Sequence, residues 1–168
     1  LMVAAMDYSE RLTRHCLMEL PDGEATFTDW IDDDQIDVGV PIPLVCTIRK
    51  RGDTMEVDWT GSAPQVKGAI NNTCSYTAAM SFTAVKSVLS INMPNNDGVF
   101  RPIKVIAPEG TITNGKLPAA CAARGLTGFR GADCAFGALA KLYPDRVFAA
   151  SDGGNTGSTL PTAKVHCG

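Results

Sequence analysis

Residues 42–59 read IPLVCTIRKRGDTMEVDW, and the fold class follows from them. Ile42, Leu44, Cys46 and Ile48 alternate with their neighbours, Arg51-Gly52-Asp53 turns the chain, and Met55, Val57 and Trp59 alternate with Glu56 and Asp58. A period of two sends successive side chains to opposite faces of an extended strand, so this stretch is a β-hairpin with one apolar and one wet face. Arg-Gly-Asp is also an adhesion tripeptide. A glycine between two charged residues is what a tight turn needs, and the turn reading is taken.

Upstream of the hairpin, Phe27, Trp30 and Ile31 sit among threonines, which predicts a short strand over Ala25–Ile31 that ends in Asp32-Asp33-Asp34. These aspartates do not form a calcium loop, because Ile36 and Asp37 occupy the fifth and sixth positions, where an oxygen ligand and a glycine are required; a solvated acidic turn is expected. Before them, residues 1–20 gather Met2, Met6, Leu12, Cys16, Leu17 and Leu20 on one helical face, and Pro21-Asp22-Gly23 stops the helix. Downstream, a polar loop over Gly61–Asn72 leads into an apolar helix over Ser75–Leu89 that carries Tyr76, Met80, Phe82, Ala84, Val85, Val88 and Leu89.

A second polar loop, Asn92–Pro102, precedes a strand over Ile103–Ala107 and turns at Pro108-Glu109-Gly110 and Asn114-Gly115. Thr127 is expected to cap a last helix whose core stripe is Phe129, Ala132, Phe136, Leu139 and Tyr143. Gly128, Gly131 and Gly137 each weaken that helix by up to ~1 kcal/mol, so close packing must compensate. Asp152–Thr159 is glycine-rich and irregular. The expected fold is α+β: a mixed, largely antiparallel sheet with about three helices packed on one side.

Composition narrows the function classes. The 168 residues are 45% hydrophobic and 20% charged with a net charge of -3, and the two signs are mixed along the chain. No basic footprint for nucleic acid results, no run reaches membrane-spanning length, and the amino terminus lacks the pattern of a signal peptide. A cytoplasmic protein is expected. The six cysteines are scattered, which predicts free thiols, and no C-x-x-C occurs. With only His15 and His166 to add imidazole, neither a four-ligand zinc site nor a histidine-based catalytic pair is expected within this chain. Gly110–Leu117 nearly matches a phosphate-binding loop, but Leu117 stands where a hydroxyl must hold magnesium. What remains is a set of polar loop residues, Asn71, Asn72, Asn95, Asn96, Arg101, Arg124 and Asn155, able to orient an amide or carboxylate ligand or simply to close loops.

Asp7-Tyr8-Ser9-Glu10-Arg11, Pro21-Asp22-Gly23-Glu24, Trp30–Asp34 and Val57–Val66 resemble, in order and spacing, the hydantoinase B family. Gly68-Ala69-Ile70-Asn71, Pro94–Ile103, Ala107–Gly110 and Ala122-Ala123-Arg124 continue the resemblance. It implies a single segment, residues 1–168, of a larger hydantoinase B-like subunit. It also implies a hydantoinase A-like partner that uses ATP and Mg to activate a lactam or carbonyl oxygen, after which the hydantoinase B part completes ring hydrolysis of a small cyclic amide. A divalent metal, if the larger subunit holds one, is placed upstream of this segment. Asn71, Asn95, Asn96, Arg101 and Arg124 become the candidate substrate-binding or subunit-contact residues. The same resemblance covers ATP-driven ketone carboxylase subunits, and a non-catalytic scaffold role for this segment is a further alternative. The segment alone is expected to be inactive. Gly125 stands where relatives often place Asn, and Gly153–Gly157 matches only loosely.

Overall fold

A computed structural model describes residues 2–89 and 94–150. Three helices, α1 (Met2–Met18), α2 (Cys74–Leu89) and α3 (Arg124–Leu142), pack on a four-stranded sheet. Its strands are β1 (Gly23–Ile31), β2 (Ile42–Arg51), β3 (Thr54–Asp58) and β4 (Ile103–Ile106), in the spatial order β1-β2-β3-β4. The β2–β3 pair is the hairpin of the sequence reading, with Ile48 opposite Val57. β1 is antiparallel to β2, with Phe27 opposite Cys46, and begins two residues earlier than the sequence suggests. β4 lies parallel to β3, with Val57 beside Val105, because the connection carries α2 across the sheet.

The register puts Phe27, Cys46, Ile48, Val57 and Val105 on one face. That face joins Leu17 of α1, Val85 and Val88 of α2 and Ala135, Ala138 and Leu139 of α3 in one apolar core. All three helices therefore cover the same side. The other face is wet: Arg49 bridges Glu24, Glu56 and Asp58, and Lys104 reaches Glu56 at 3.0 Å. One cation faces inward. Lys50 is 2% exposed, and its ammonium donates to the Leu20 carbonyl and to Asp22 at 2.8 Å, which ties the end of β2 to the turn after α1.

Local details correct several expectations. Cys16, Leu17 and Leu20 are buried as expected, but Met2 is exposed, and Ser9 and Thr13 join the buried face of α1. Small polar residues replace larger apolar ones there because backbone comes close: a Cβ on Gly98 would overlap the Met6 carbonyl. Thr127 does not cap α3. The helix starts at Arg124 behind Ala123, which supplies no side-chain cap, and the buried Thr127 hydroxyl donates to the Ile70 carbonyl at 2.6 Å. The three α3 glycines do permit close packing: a Cβ would overlap Tyr76 at Gly128, Met80 at Gly131 and Phe27 at Gly137.

The acidic turn is only partly solvated. Asp34 is 5% exposed and accepts the backbone N–H groups of Ile36, Asp37 and Gly68. In the hairpin turn, Gly52 takes φ +56, Asp53 pairs with Arg14 at 3.0 Å and Arg51 with Glu24 at 3.4 Å, so both charges of the tripeptide are engaged within the chain. Cys16, Cys46, Cys74, Cys121 and Cys134 are free thiols, as expected, whereas Cys167, His166, Asn155 and the glycine-rich stretch after Asp152 lie outside the described residues. No helix among the described residues is long and apolar enough to cross a membrane.

Candidate functional site

The five candidate residues fall into two groups at opposite ends of α2. At its carboxyl end, Asn95, Asn96 and Arg101 belong to the loop over 94–102. Asn96 accepts from Gly98 N–H at 3.0 Å and donates to Ser9 at 2.9 Å, which pins the loop to α1. Arg101 reaches Asp7 and Glu10, both at 3.1 Å, from the same loop. Asn95 is exposed and accepts from Lys86 at 3.0 Å. At the amino end of α2, Asn71 is fully buried. Its side chain accepts from Val66 N–H and donates to the carbonyls of Val66, Gly68 and Ala120. Its hydrogen-bonding capacity is thus used to hold the Gly61–Asn72 loop against the segment before α3. That segment presents Arg124, exposed, with its guanidinium 5.6 Å from the centre of the Tyr76 ring and donating to the Cys121 carbonyl at 3.2 Å.

Between the two ends runs a groove made of three adjoining hollows. The first, about 630 Å³, is bounded by Gln35, Tyr76 and the residues around Arg124. The middle one, about 270 Å³, shares Tyr76 with the first and adds Gly128 and Phe129 of α3. The last, about 680 Å³, shares Ala79 and Thr83 with the middle one and ends at Lys86, Asn95 and Phe100. Tyr76, Ala79, Thr83 and Lys86 recur at helical spacing, so one side of α2 forms the length of the floor. Phe82 and Phe100 stack with ring centres 4.4 Å apart and wall the Lys86 end. The exposed hydroxyls turn inward: Thr83 donates to the Ala79 carbonyl at 2.9 Å and Ser87 to the Thr83 carbonyl at 2.8 Å. The floor is therefore less polar than its composition suggests.

Sequence periodicity assigns Tyr76 and Phe82 to the core stripe of α2; Phe82 does pack against the core while also lining this groove, whereas Tyr76 is half-buried and faces the groove. The spacing of Ala79, Thr83 and Lys86 is the available signal, but small residues on an exposed helical face look like ordinary surface until a neighbouring helix stands beside them.

No cysteine, histidine, aspartate or glutamate lines the groove among the described residues. Burial raises the Cys46 thiol well above its ordinary value and pushes Cys134 up to about 12, so neither is a thiolate near neutrality. Hydrogen bonds from Arg14 and Arg101 lower the pKa of Glu10, bonds from Lys104 and Arg49 lower that of Glu56, and backbone donors lower that of Asp34. These carboxylates stay ionised and cannot donate a proton. His15 lies exposed on α1, 3.5 Å from Glu19. Among the described residues no three His, Cys, Asp or Glu side chains gather as metal ligands. Gly110–Leu117 does not fit a phosphate either: Gly110 N–H donates to the Asn114 carbonyl in a tight turn, and Lys116 pairs with Glu109 at 3.4 Å.

Comparison with known proteins follows the same architecture. The family model described as Hydantoinase B/oxoprolinase matches residues 1–164. The B component of a putative D-/L-hydantoinase from Pseudomonas sp. (strain NS671) is 34% identical over 154 residues, covering 86% of this chain and 26% of the relative. The 5-oxoprolinase of Dictyostelium discoideum is 32% identical over 87 residues, 52% of this chain and 6% of that protein. Among solved structures, the ATP-dependent caprolactamase from Pseudomonas jessenii superposes with a TM-score of 0.75 at 26% identity, over 84% of this chain and 24% of its own. An acetone carboxylase shares the fold, with a TM-score of 0.63 at 17% identity over 79% of this chain and 19% of its own. The chain thus spans about a quarter of the length of the hydantoinase component and of the caprolactamase.

Proposed function

The chain belongs to the hydantoinase B/oxoprolinase family, and from that membership we propose that it is one segment of an ATP-dependent cyclic amide hydrolase, where it supplies a shaped contact surface instead of the reacting groups. The hydantoinase and caprolactamase names both denote ring amides, which supports a small cyclic amide as substrate of the whole enzyme. An unactivated amide resists attack by water. ATP is used by a hydantoinase A-like partner, with Mg, to make the amide carbon electrophilic, and any divalent metal of the hydantoinase B part sits outside this segment.

The observation that carries the reading is the contrast at the groove. Asn71, Asn96 and Arg101 are committed to holding loops, Arg101 through ion pairs despite its exposure, while Arg124 and Asn95 stand exposed at its two ends without a carboxylate partner among the described residues. We assign these two to contact with the rest of the enzyme and the other three to positioning.

The test is to combine the longer protein that contains this segment with its partner, ATP and candidate lactams. Phosphate release in step with ring opening is expected, and absence of lactam-dependent turnover rejects the proposal. Dependence of turnover on bicarbonate would instead place the protein with the ketone carboxylases.

A further inference from the structure

The charges along the α2–α3 groove are one-sided. Lys86 stands at one end and Arg124 at the other, and no aspartate or glutamate lines any of the three hollows between them. Neither cation has a carboxylate within ion-pair distance among the described residues: Lys86 meets the neutral Asn95, and Arg124 meets a carbonyl and the Tyr76 ring. Most other cations are paired with acids, among them Arg14, Arg49, Lys50, Arg101 and Lys104, although Lys141 likewise meets only a carbonyl and the Phe27 ring. The Arg124 end also lies at the amino terminus of α3, whose dipole adds partial positive charge, although the Arg124 and Leu126 N–H groups are bonded to the Cys121 and Ala123 carbonyls. Tyr76, beneath Arg124, and Lys86 lie about 15 Å apart along α2, at 1.5 Å of rise per residue. That span exceeds a single lactam ring several-fold and matches about three turns of a second helix.

We infer that this groove docks an amphipathic helix of the partner protein, one whose apolar side chains lie over Ala79, Thr83 and Phe129 and whose carboxylates, about three turns apart, meet Lys86 and Arg124. Helix-in-groove recognition uses anchors at helical spacing on an apolar face, and complementary charges at the ends fix direction and register. The hydantoinase relative is named as one of at least two components, which implies a second to supply such a helix. This inference rests on the proposed two-component enzyme and names what meets its contact surface.

The probe is a fluorescent 14-residue helical peptide with a Leu/Ala stripe and glutamates ten positions apart, compared with the same peptide carrying lysines at those positions. Anisotropy titrations use the whole chain, its folding checked by circular dichroism. Saturable binding of the glutamate peptide is expected, weakened about fivefold by Lys86→Glu and about fivefold by Arg124→Glu. The double variant should prefer the lysine peptide. Equal binding of the two peptides, indifference to both charge reversals, or self-association of the chain that Arg124→Glu abolishes would overturn the inference. Loss of peptide binding in the longer polypeptide would do so too, since its own chain would then fill the groove. Lactam turnover is measured separately, so peptide binding can fail while the enzymatic reading stands, or survive when that reading falls.

Discussion

Asp34 shows how one carboxylate can organise a loop. It accepts three backbone N–H groups, and those donors hold its pKa below the ordinary 3.8. A depressed pKa in the folded state contributes stability that is complete above the unfolded value and is lost as pH falls through the folded value. Asp34→Asn should therefore lower the melting temperature near neutrality, with a gap from the parent that narrows below about pH 4; melting curves across pH 2–7 measure this. Arg101 and Arg124 separate at the same scale. Arg101→Ala releases the 94–102 loop from Asp7 and Glu10 and should shift the midpoint of a chemical denaturation curve slightly to lower denaturant. Arg124→Ala should leave the curve unchanged and impair association with the partner. Equal melting losses for the two would contradict the division between positioning and contact.

At the scale of the element, α3 depends on residues that lower its intrinsic propensity. Gly128→Ala places a methyl into the Tyr76 ring and should destabilise by about 1–3 kcal/mol despite alanine being the better helix former. Paired replacement with Tyr76→Ala should recover part of that loss, as a double-mutant cycle would register. The sequence foreshadows this packing because several glycines inside a clear 3-4 repeat make little sense otherwise. The hairpin is legible for a similar reason, since Ile42–Ile48 and Met55–Trp59 alternate without interruption. Part of the buried face of α1 is hidden from such patterns because Ser9 and Thr13 look like surface; Ser9 meets Asn96, far away in the chain, and the neighbouring Met6 backbone meets Gly98. The start of α3 is obscured in the same way, as the Thr127 hydroxyl that resembles a cap serves a carbonyl from another loop. Of the candidate site, residue types could nominate Asn71 and Arg124 alike. Only burial separates an amide enclosed by its own loop from a guanidinium facing solvent.

For the whole molecule, thiol chemistry gives a direct check on the arrangement of layers. Cys74 is exposed, while Cys46 and Cys134 lie between sheet and helix with protonated sulfurs. Among the described cysteines, a thiol reagent at neutral pH should modify Cys74 first and reach Cys46 and Cys134 only with global unfolding, in an order that peptide mapping reads out. The parallel partnership of β4 with β3 has a kinetic meaning as well. The β2–β3 hairpin closes over a turn of a few residues, whereas β4 can join only after the long excursion through α2, and distant pairings repay their loop entropy late. The hairpin and β1 should thus be substantially formed in the rate-limiting step of folding, with β4 settling afterwards. Val57→Ala would slow refolding, and Val105→Ala would mainly hasten unfolding.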